Sequence, residues 1–157
     1  DRRLLARIRD LRDYDERTSH RTRYNYKLTD MQAALGRSQF RRLPAMLRRR
    51  RAIARAYCRH WGDLPLRLPE SDAQRTHAYH RFVVSIGDSP AAAARALLVA
   101  GVTARRPVFR PIHTTLGLDG FPGSAEAYRR ALSLPIYPAL SLREERTILR
   151  AVRRVLA

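Results

Sequence analysis

A mixed α/β chain, with helices covering a small sheet, is the fold class this sequence predicts, and three observations carry that expectation. Apolar residues recur at helical spacing at both ends, first at Leu4, Leu5, Ile8 and Leu11, then at Ile148, Leu149, Val152, Val155 and Leu156. The run HAYHRFVVSI, 77–86, is rich in aromatic and branched residues, as strands are. Two pairs, Thr29 with Gln32 and Ser141 with Glu144, match the capping box, in which each side chain satisfies the other's free backbone N–H.

Taken in order, residues 2–13 form an amphipathic helix with arginines between its apolar positions. The polar stretch DYDERTSHRTR breaks that period and predicts a loop. A long helix starts at Thr29 and carries Met31, Ala34 and Leu35. Pro44 lacks a backbone N–H and suits the first turn of a new helix, so a break or kink is expected at Leu43. The second piece brings Leu47, Ile53, Tyr57 and Trp61 inward and ends at Gly62. After the strand over 77–86, Ser89 and Pro90 open a helix that Gly101 closes in a left-handed conformation. VTARRPVFRPIH holds too many prolines for a helix and predicts a short strand leaving into an extended loop. SAEAYRRAL is a helix, SLPIYPAL is extended, and Ser141 caps the last helix. The expected order is helix, long helix, strand, helix, strand, helix, helix, a small sheet that helices must cover.

At 157 residues the chain is long enough for one domain with a core of its own. A hydrophobic content of 45% with 29% charged residues marks a globular protein. Cys58 is the only cysteine, so neither an intramolecular disulfide nor a cysteine-based zinc site can form, and a reducing cytoplasm is expected. No apolar run is long enough to span a bilayer, so no membrane partner is expected. Asp1 opens the chain inside a helical pattern where a start codon would give methionine, so a processed chain or a fragment is expected.

A net charge of +18 and a pI near 11.6 point towards nucleic acid or another polyanion. Two features oppose that. The basic residues are spread from Arg2 to Arg154, and aromatic residues for base stacking make up only 8%. Solvated arginine faces are favoured, the run Arg48–Arg51 included, and a basic nucleic-acid-binding module without enzymatic activity is the alternative. Salt separates the two, because many phosphate contacts make affinity fall steeply as salt rises.

No Gly-rich phosphate loop, metal-protease motif or apolar carboxylate pair is present, and no metal site is expected. His77 and His80 lie three apart on the expected strand and so face opposite ways. Lys27, the only lysine, stands in RYNYKLTDMQAAL beside Asn25, Tyr24 and Tyr26 at the entrance of a helix. An amide donor, a cation and a helix start together favour a phosphate. Read from the residues alone, a turn-forming Asn25 and a solvated Lys27 remain the plainer alternative.

The stretch YNYKLTDMQAALG resembles the segment that opens the second half of the DegT/DnrJ family of pyridoxal-phosphate-dependent sugar aminotransferases. The likeness continues in register through RRRRAIARAY, HAYHRFVV, PIH, FPGSAEAY and LSLPIYPALS, and Asp1–Tyr14 is similar to the helix that ends the family's large domain. The resemblance implies that residues 1–28 are the terminal helix and loop of the large cofactor domain. Residues 29–157 would then be the small C-terminal domain with its long connecting helix. It further implies a homodimer with a shared active site, in which Asn25 reaches the pyridoxal 5'-phosphate of the neighbouring subunit and Lys27 helps receive the anionic cofactor or substrate.

The nucleotide-sugar substrate would meet Tyr24 and His113, although a satisfied loop histidine stays open for His113. Tyr79 and Tyr137 are expected to be packing residues, and nothing singles out one of Arg105, Arg106 and Arg110 for a substrate pyrophosphate. The family's cofactor-binding lysine lies upstream of the matched region, so no catalytic residue is expected in this chain, and the chain alone is expected to be inactive. Transfer of an amino group from glutamate and sugar dehydration both remain open, since the position that decides between them lies outside the chain. Two departures stand out. Arg23 replaces the usual glycine before the tyrosine, and Phe109 stands where relatives often carry tyrosine.

Overall fold

The computed structural model describes residues 1–70, 72, 74–87 and 89–157. Its elements are α1 (Arg2–Leu11), α2 (Asp30–Trp61), β1 (Phe82–Ser85), α3 (Pro90–Val99), α4 (Ile112–Thr115), α5 (Pro122–Arg130), β2 (Ala131–Leu134) and α6 (Leu142–Leu156). The class is the expected one, helices with a small sheet. Two compact units divide the chain, Asp1–Leu43 and Pro44–Ala157.

In the first unit, Asp1 caps α1 by accepting the Arg3 N–H at 2.8 Å. The apolar stripe of α1 is present as predicted, yet Leu4, Leu5 and Ile8 stay about half exposed. The chain then returns to the end of α1, where the Tyr24 N–H donates to the Leu11 carbonyl and the Tyr26 N–H to that of Arg12, at 2.8 and 3.1 Å. The capping box at the start of α2 forms as expected. The Thr29 N–H donates to Gln32 Oε1 at 3.0 Å, and the Gln32 N–H to Thr29 Oγ1 at 3.3 Å.

The core lies in the second unit. β1 and β2 pair antiparallel, with Phe82 opposite Leu134 and Val84 opposite Leu132. Because strand side chains alternate, these four face one side together, and all are buried. They meet Ile53, Ala54, Tyr57 and Trp61 of α2, Leu97 of α3, and Ile148, Leu149 and Val152 of α6. Three rings stack at the centre. Tyr57 lies 4.4 Å from Trp61, and Phe82 meets both edge-on at 5.2 and 5.9 Å. Burial within this cluster pushes the Tyr57 phenol far above its ordinary value, and its hydroxyl donates to the Pro135 carbonyl at 2.9 Å. Single bridges, Arg67 with Ser85 and Arg105 with Ser133, extend the sheet on either side.

Several expectations need correction. The break at Leu43 is absent, and α2 runs uninterrupted with Pro44 inside it. Proline removes one helical bond, to the Phe40 carbonyl four residues back. Phe40 and Pro44 are exposed, so water can serve that carbonyl, and the flanking turns hold. The strand expected over 77–86 is only Phe82–Ser85, because it pairs with a partner of four residues. Before it the backbone turns through Tyr79 at φ +47°, where His77 Nδ1 accepts the Tyr79 N–H at 2.8 Å. His77 and His80 therefore do not occupy opposite faces of a strand. The second strand is not VTARR, which keeps one bridge at Arg105, but ALSL. Residues 112–115 form a helical turn where an extended loop was expected, and the Thr115 hydroxyl closes it on the Pro111 carbonyl at 3.3 Å.

The arginine run is not a solvated face either. Arg48 is exposed, but Arg49 donates to the Leu140 carbonyl and to Glu145 at 2.7 and 2.8 Å. Arg50 Nη1 lies 2.9, 3.1 and 2.8 Å from the carbonyls of Tyr79, His80 and Ile136. Arg51 donates to the His77 carbonyl at 3.2 Å. These carbonyls lie outside any ladder, and a guanidinium has five donors in a rigid fork to offer them.

Gly101 takes φ +78° after α3, as predicted. The Ser141–Glu144 box is complete, with the Glu144 N–H reaching Ser141 Oγ at 3.2 Å and the Ser141 N–H reaching Glu144 Oε2 at 2.8 Å. Ser141→Ala is expected to lower stability by about 1 kcal/mol, seen as a lower urea midpoint at unchanged slope.

Candidate functional site

The segment Arg23–Leu28 of the first unit is braced at three points. Arg23, in the place where glycine was expected, is nearly buried, with its side chain 7% exposed. Its Nε donates to Asp10 at 2.9 Å, and its two terminal nitrogens hold the Ser19 carbonyl and hydroxyl at 2.9 and 2.8 Å. Tyr24 and Tyr26 lie with rings nearly parallel, centroids 5.0 Å apart, and both are exposed. Lys27 Nζ sits 3.0 Å from Asp13 and 2.6 Å from Asp15. Asn25, between the tyrosines, is exposed, and its amide has no hydrogen-bond partner among the described residues.

In this brace the one lysine is paired with two carboxylates. Asp15 and then Asp13, by hydrogen bonding, raise the Lys27 ammonium above its ordinary value of 10.5. Lys27 holds Asp13 below 3.8 in return. An ammonium has three donors, and these two carboxylates engage two of them, which leaves one for an outside acceptor. Asp30 in the first turn of α2 already faces the helix dipole, and the capping box uses two of that helix's unbonded N–H groups. What is left for an outside acceptor is the Asn25 amide and the third Lys27 N–H, beside the carboxylates of Asp13 and Asp15.

The sign of each shift sets a pH window. Asp13, depressed in the fold, contributes above 3.8 and loses its contribution as pH falls through its lowered value. Lys27, raised, contributes below 10.5 and loses its contribution as pH rises through its elevated value. The brace is thus expected to be insensitive to pH between those limits and to loosen outside them. Hydrogen exchange at the Tyr24 and Tyr26 amides, corrected for the intrinsic rate, measures it.

In the second unit His113 lies on α4, half-buried. Its Nδ1 is 3.3 Å from Ser124 Oγ, and its ring stacks on Phe121 at 5.4 Å. One turn further along α5, the Tyr128 hydroxyl donates to the Phe109 carbonyl at 2.8 Å. Arg106 lies over the Tyr128 ring at 4.6 Å and donates to the Tyr128 carbonyl at 2.6 Å. Arg106 is thereby committed to α5, while Phe109 is 95% exposed. Tyr137 reaches Glu144 through its hydroxyl at 3.3 Å, and Tyr79 packs between His77 and Phe82.

The sequence reading missed Asp13, Asp15 and Ser124. The first two had a signal, two acids in DYDER ahead of the only lysine. Ser124 had none, because its partner lies on another helix.

No helix among the described residues is long and apolar enough to cross a membrane. Among those residues no group of three metal-ligating side chains occurs either.

A family model described as the DegT/DnrJ/EryC1/StrS aminotransferase family matches residues 3–153. Over 166 residues the chain is 30% identical to the UDP-N-acetyl-3-dehydro-alpha-D-glucosamine 3-aminotransferase of Acidithiobacillus ferrooxidans, covering 99% of this chain and 44% of that protein. Over 144 residues it is 30% identical to the spore coat polysaccharide biosynthesis protein SpsC of Bacillus subtilis, covering 83% of this chain and 37% of that one. Among solved structures it is similar to the aminotransferase TlmJ of Streptoalloteichus hindustanus, with a TM-score of 0.83 at 30% identity, covering 99% of this chain and 45% of that chain. The chain thus spans less than half the length of these relatives.

Proposed function

Since the chain belongs to the DegT/DnrJ/EryC1/StrS aminotransferase family, whose members depend on pyridoxal phosphate, we propose that it forms the C-terminal part of a sugar aminotransferase. In that reading residues 1–28 close the large cofactor domain and residues 29–157 are the small domain with its connecting helix. The complete protein moves an amino group from glutamate to the keto carbon of a nucleotide-linked sugar in the cytoplasm, working as a homodimer with shared sites. The match over residues 3–153, which takes in the Asn25 segment, is the observation that carries this reading.

The residues present fit a phosphate. Asn25 offers an exposed amide without an internal partner on a segment pinned by Arg23 and Lys27, so little freedom is lost on binding. Lys27 adds one N–H and holds the segment through Asp13 and Asp15. Pyridoxal phosphate, when bound, supplies the electron sink for amino transfer. This chain's part is to grip and orient its phosphate across the dimer, with Tyr24 and His113 at the sugar substrate. Lys27 falls on the phosphate-facing segment and not on the family's cofactor-lysine motif, which lies upstream of the matched region, so the chain alone is expected to be inactive.

The test is made on the complete reading frame containing this chain. Release of 2-oxoglutarate from glutamate with a UDP- or dTDP-linked keto sugar supports the reading. Loss of water from the sugar without amino transfer would assign the dehydratase chemistry instead. In that protein Asn25→Ala is expected to weaken cofactor retention about tenfold, the value of one charge-assisted hydrogen bond, measured by equilibrium dialysis. Unchanged retention would remove Asn25 from the phosphate site.

Nucleic acid is not favoured as a partner. Arg23, Arg49, Arg50, Arg51, Arg67, Arg75, Arg106, Arg129, Arg130 and Arg153 are committed to carboxylates or carbonyls within the chain.

A further inference from the structure

We propose that Ser124 is a positioning residue that sets the tautomer of His113, so that the ring offers Nε2–H as a donor to an oxygen of a phosphorylated sugar. This rests on the reading above for the ligand, but not for the pairing itself.

A serine in the first turns of a helix ordinarily bonds its own helix, through the cap or the carbonyl four residues back. Ser124 does neither. Its hydroxyl has one partner among the described residues, His113 Nδ1 at 3.3 Å. Phe121, at the head of the same helix, stacks on the imidazole at 5.4 Å and an interplanar angle of 26°. Tyr128, one turn further on, holds the Phe109 carbonyl. α5 thus fixes the segment from Phe109 to His113 at two places, and at the histidine it fixes both the plane of the ring and one of its nitrogens.

Donor accounting among the described residues favours one direction for the Ser124–His113 bond. A neutral imidazole carries one N–H and one lone pair, and a serine hydroxyl carries one proton. If Nδ1 held the hydrogen, the Ser124 proton would have no acceptor among the described residues. If Ser124 donates, Nδ1 is the acceptor and the ring hydrogen stands on Nε2, which has no partner among the described residues. The second arrangement leaves no donor unused on the α5 side. It also makes Nε2–H a directed donor, suited to an anionic or carbonyl oxygen and not to a metal or a proton to be accepted. A histidine free to exchange tautomers would present that donor only part of the time.

The experiment labels histidine with 15N in the chain and records two-bond proton–nitrogen correlations at neutral pH, with His113→Gln identifying the resonances. The expected result is a predominantly Nε2-protonated ring. Ser124→Ala is expected to lower the tautomer ratio roughly fivefold, the value of one ordinary hydrogen bond, and Ser124→Thr to restore it. Trp61 fluorescence confirms that each variant is folded. An Nδ1-protonated ring in the unmodified chain, or an unchanged ratio in folded Ser124→Ala, overturns the proposal. Addition of UDP then addresses the ligand. Movement of the His113 resonances supports the phosphorylated partner. Silence beside an intact tautomer effect retires the substrate role of His113 and leaves the pairing standing.

Discussion

Phe82→Ala is expected to lower the unfolding free energy of the unit Pro44–Ala157 by about 3–5 kcal/mol. Phe82 is completely buried at the start of β1 and meets Tyr57, Trp61 and Tyr79. Its removal forfeits the transfer energy of the ring, leaves a cavity among aromatic neighbours that cannot collapse into it, and loses the edge-to-face contacts besides. A domain this size has only about 5–15 kcal/mol of stability to lose. Denaturant unfolding followed by Trp61 fluorescence measures the effect, because Trp61 lies in the same cluster and its ring N–H donates to the Leu149 carbonyl at 3.3 Å. Phe82→Leu keeps most of the volume and is expected to recover more than half of the loss.

Arg50→Ala is expected to cost about 2–3 kcal/mol, although its side chain is only half-buried. One nitrogen of this guanidinium serves carbonyls on both sides of the sheet entrance, Tyr79 and His80 before β1 and Ile136 after β2. Without it, carbonyls with no ladder partner lose their donor. Tyr79, held at φ +47° where a side chain is disfavoured, also loses one of the bonds that keep it there. Arg50→Lys restores charge but only a point-like donor, so it is expected to recover a minor part of the loss. If Arg50→Ala matched Arg48→Ala, a neighbour on the exposed side of α2, the run would be a solvated face after all.

The two variants also mark what the sequence made legible. Features that depend on neighbours a few residues away were readable: both capping boxes, the left-handed Gly101, and the apolar stripes of α1 and α6. Features decided by distant partners were not. β1 stops short because Arg50 and Arg51, more than twenty residues earlier, hold His77–His80 in a turn. α2 passes through Pro44 because one lost bond at an exposed carbonyl is less costly than ending a helix with strong flanks. In the first unit, Asn25, Lys27 and Tyr24 stood out through family resemblance, but the pairing of Lys27 with Asp13 and Asp15 is made across a loop. His113 could be named from a motif, whereas its partner Ser124 is seen only when α5 folds against α4.

In the proposed reading this chain supplies a phosphate-gripping segment to a cofactor whose covalent lysine belongs to another part of the protein. Mixing the purified chain with pyridoxal phosphate at neutral pH, removing the excess by gel filtration and recording the absorbance tests it directly. With Lys27 paired to Asp13 and Asp15 and the family's cofactor lysine upstream of the matched region, no cofactor absorbance is expected to stay with the protein. A stoichiometric band that survives filtration, disappears on borohydride reduction and maps by mass to Lys27 would contradict the account.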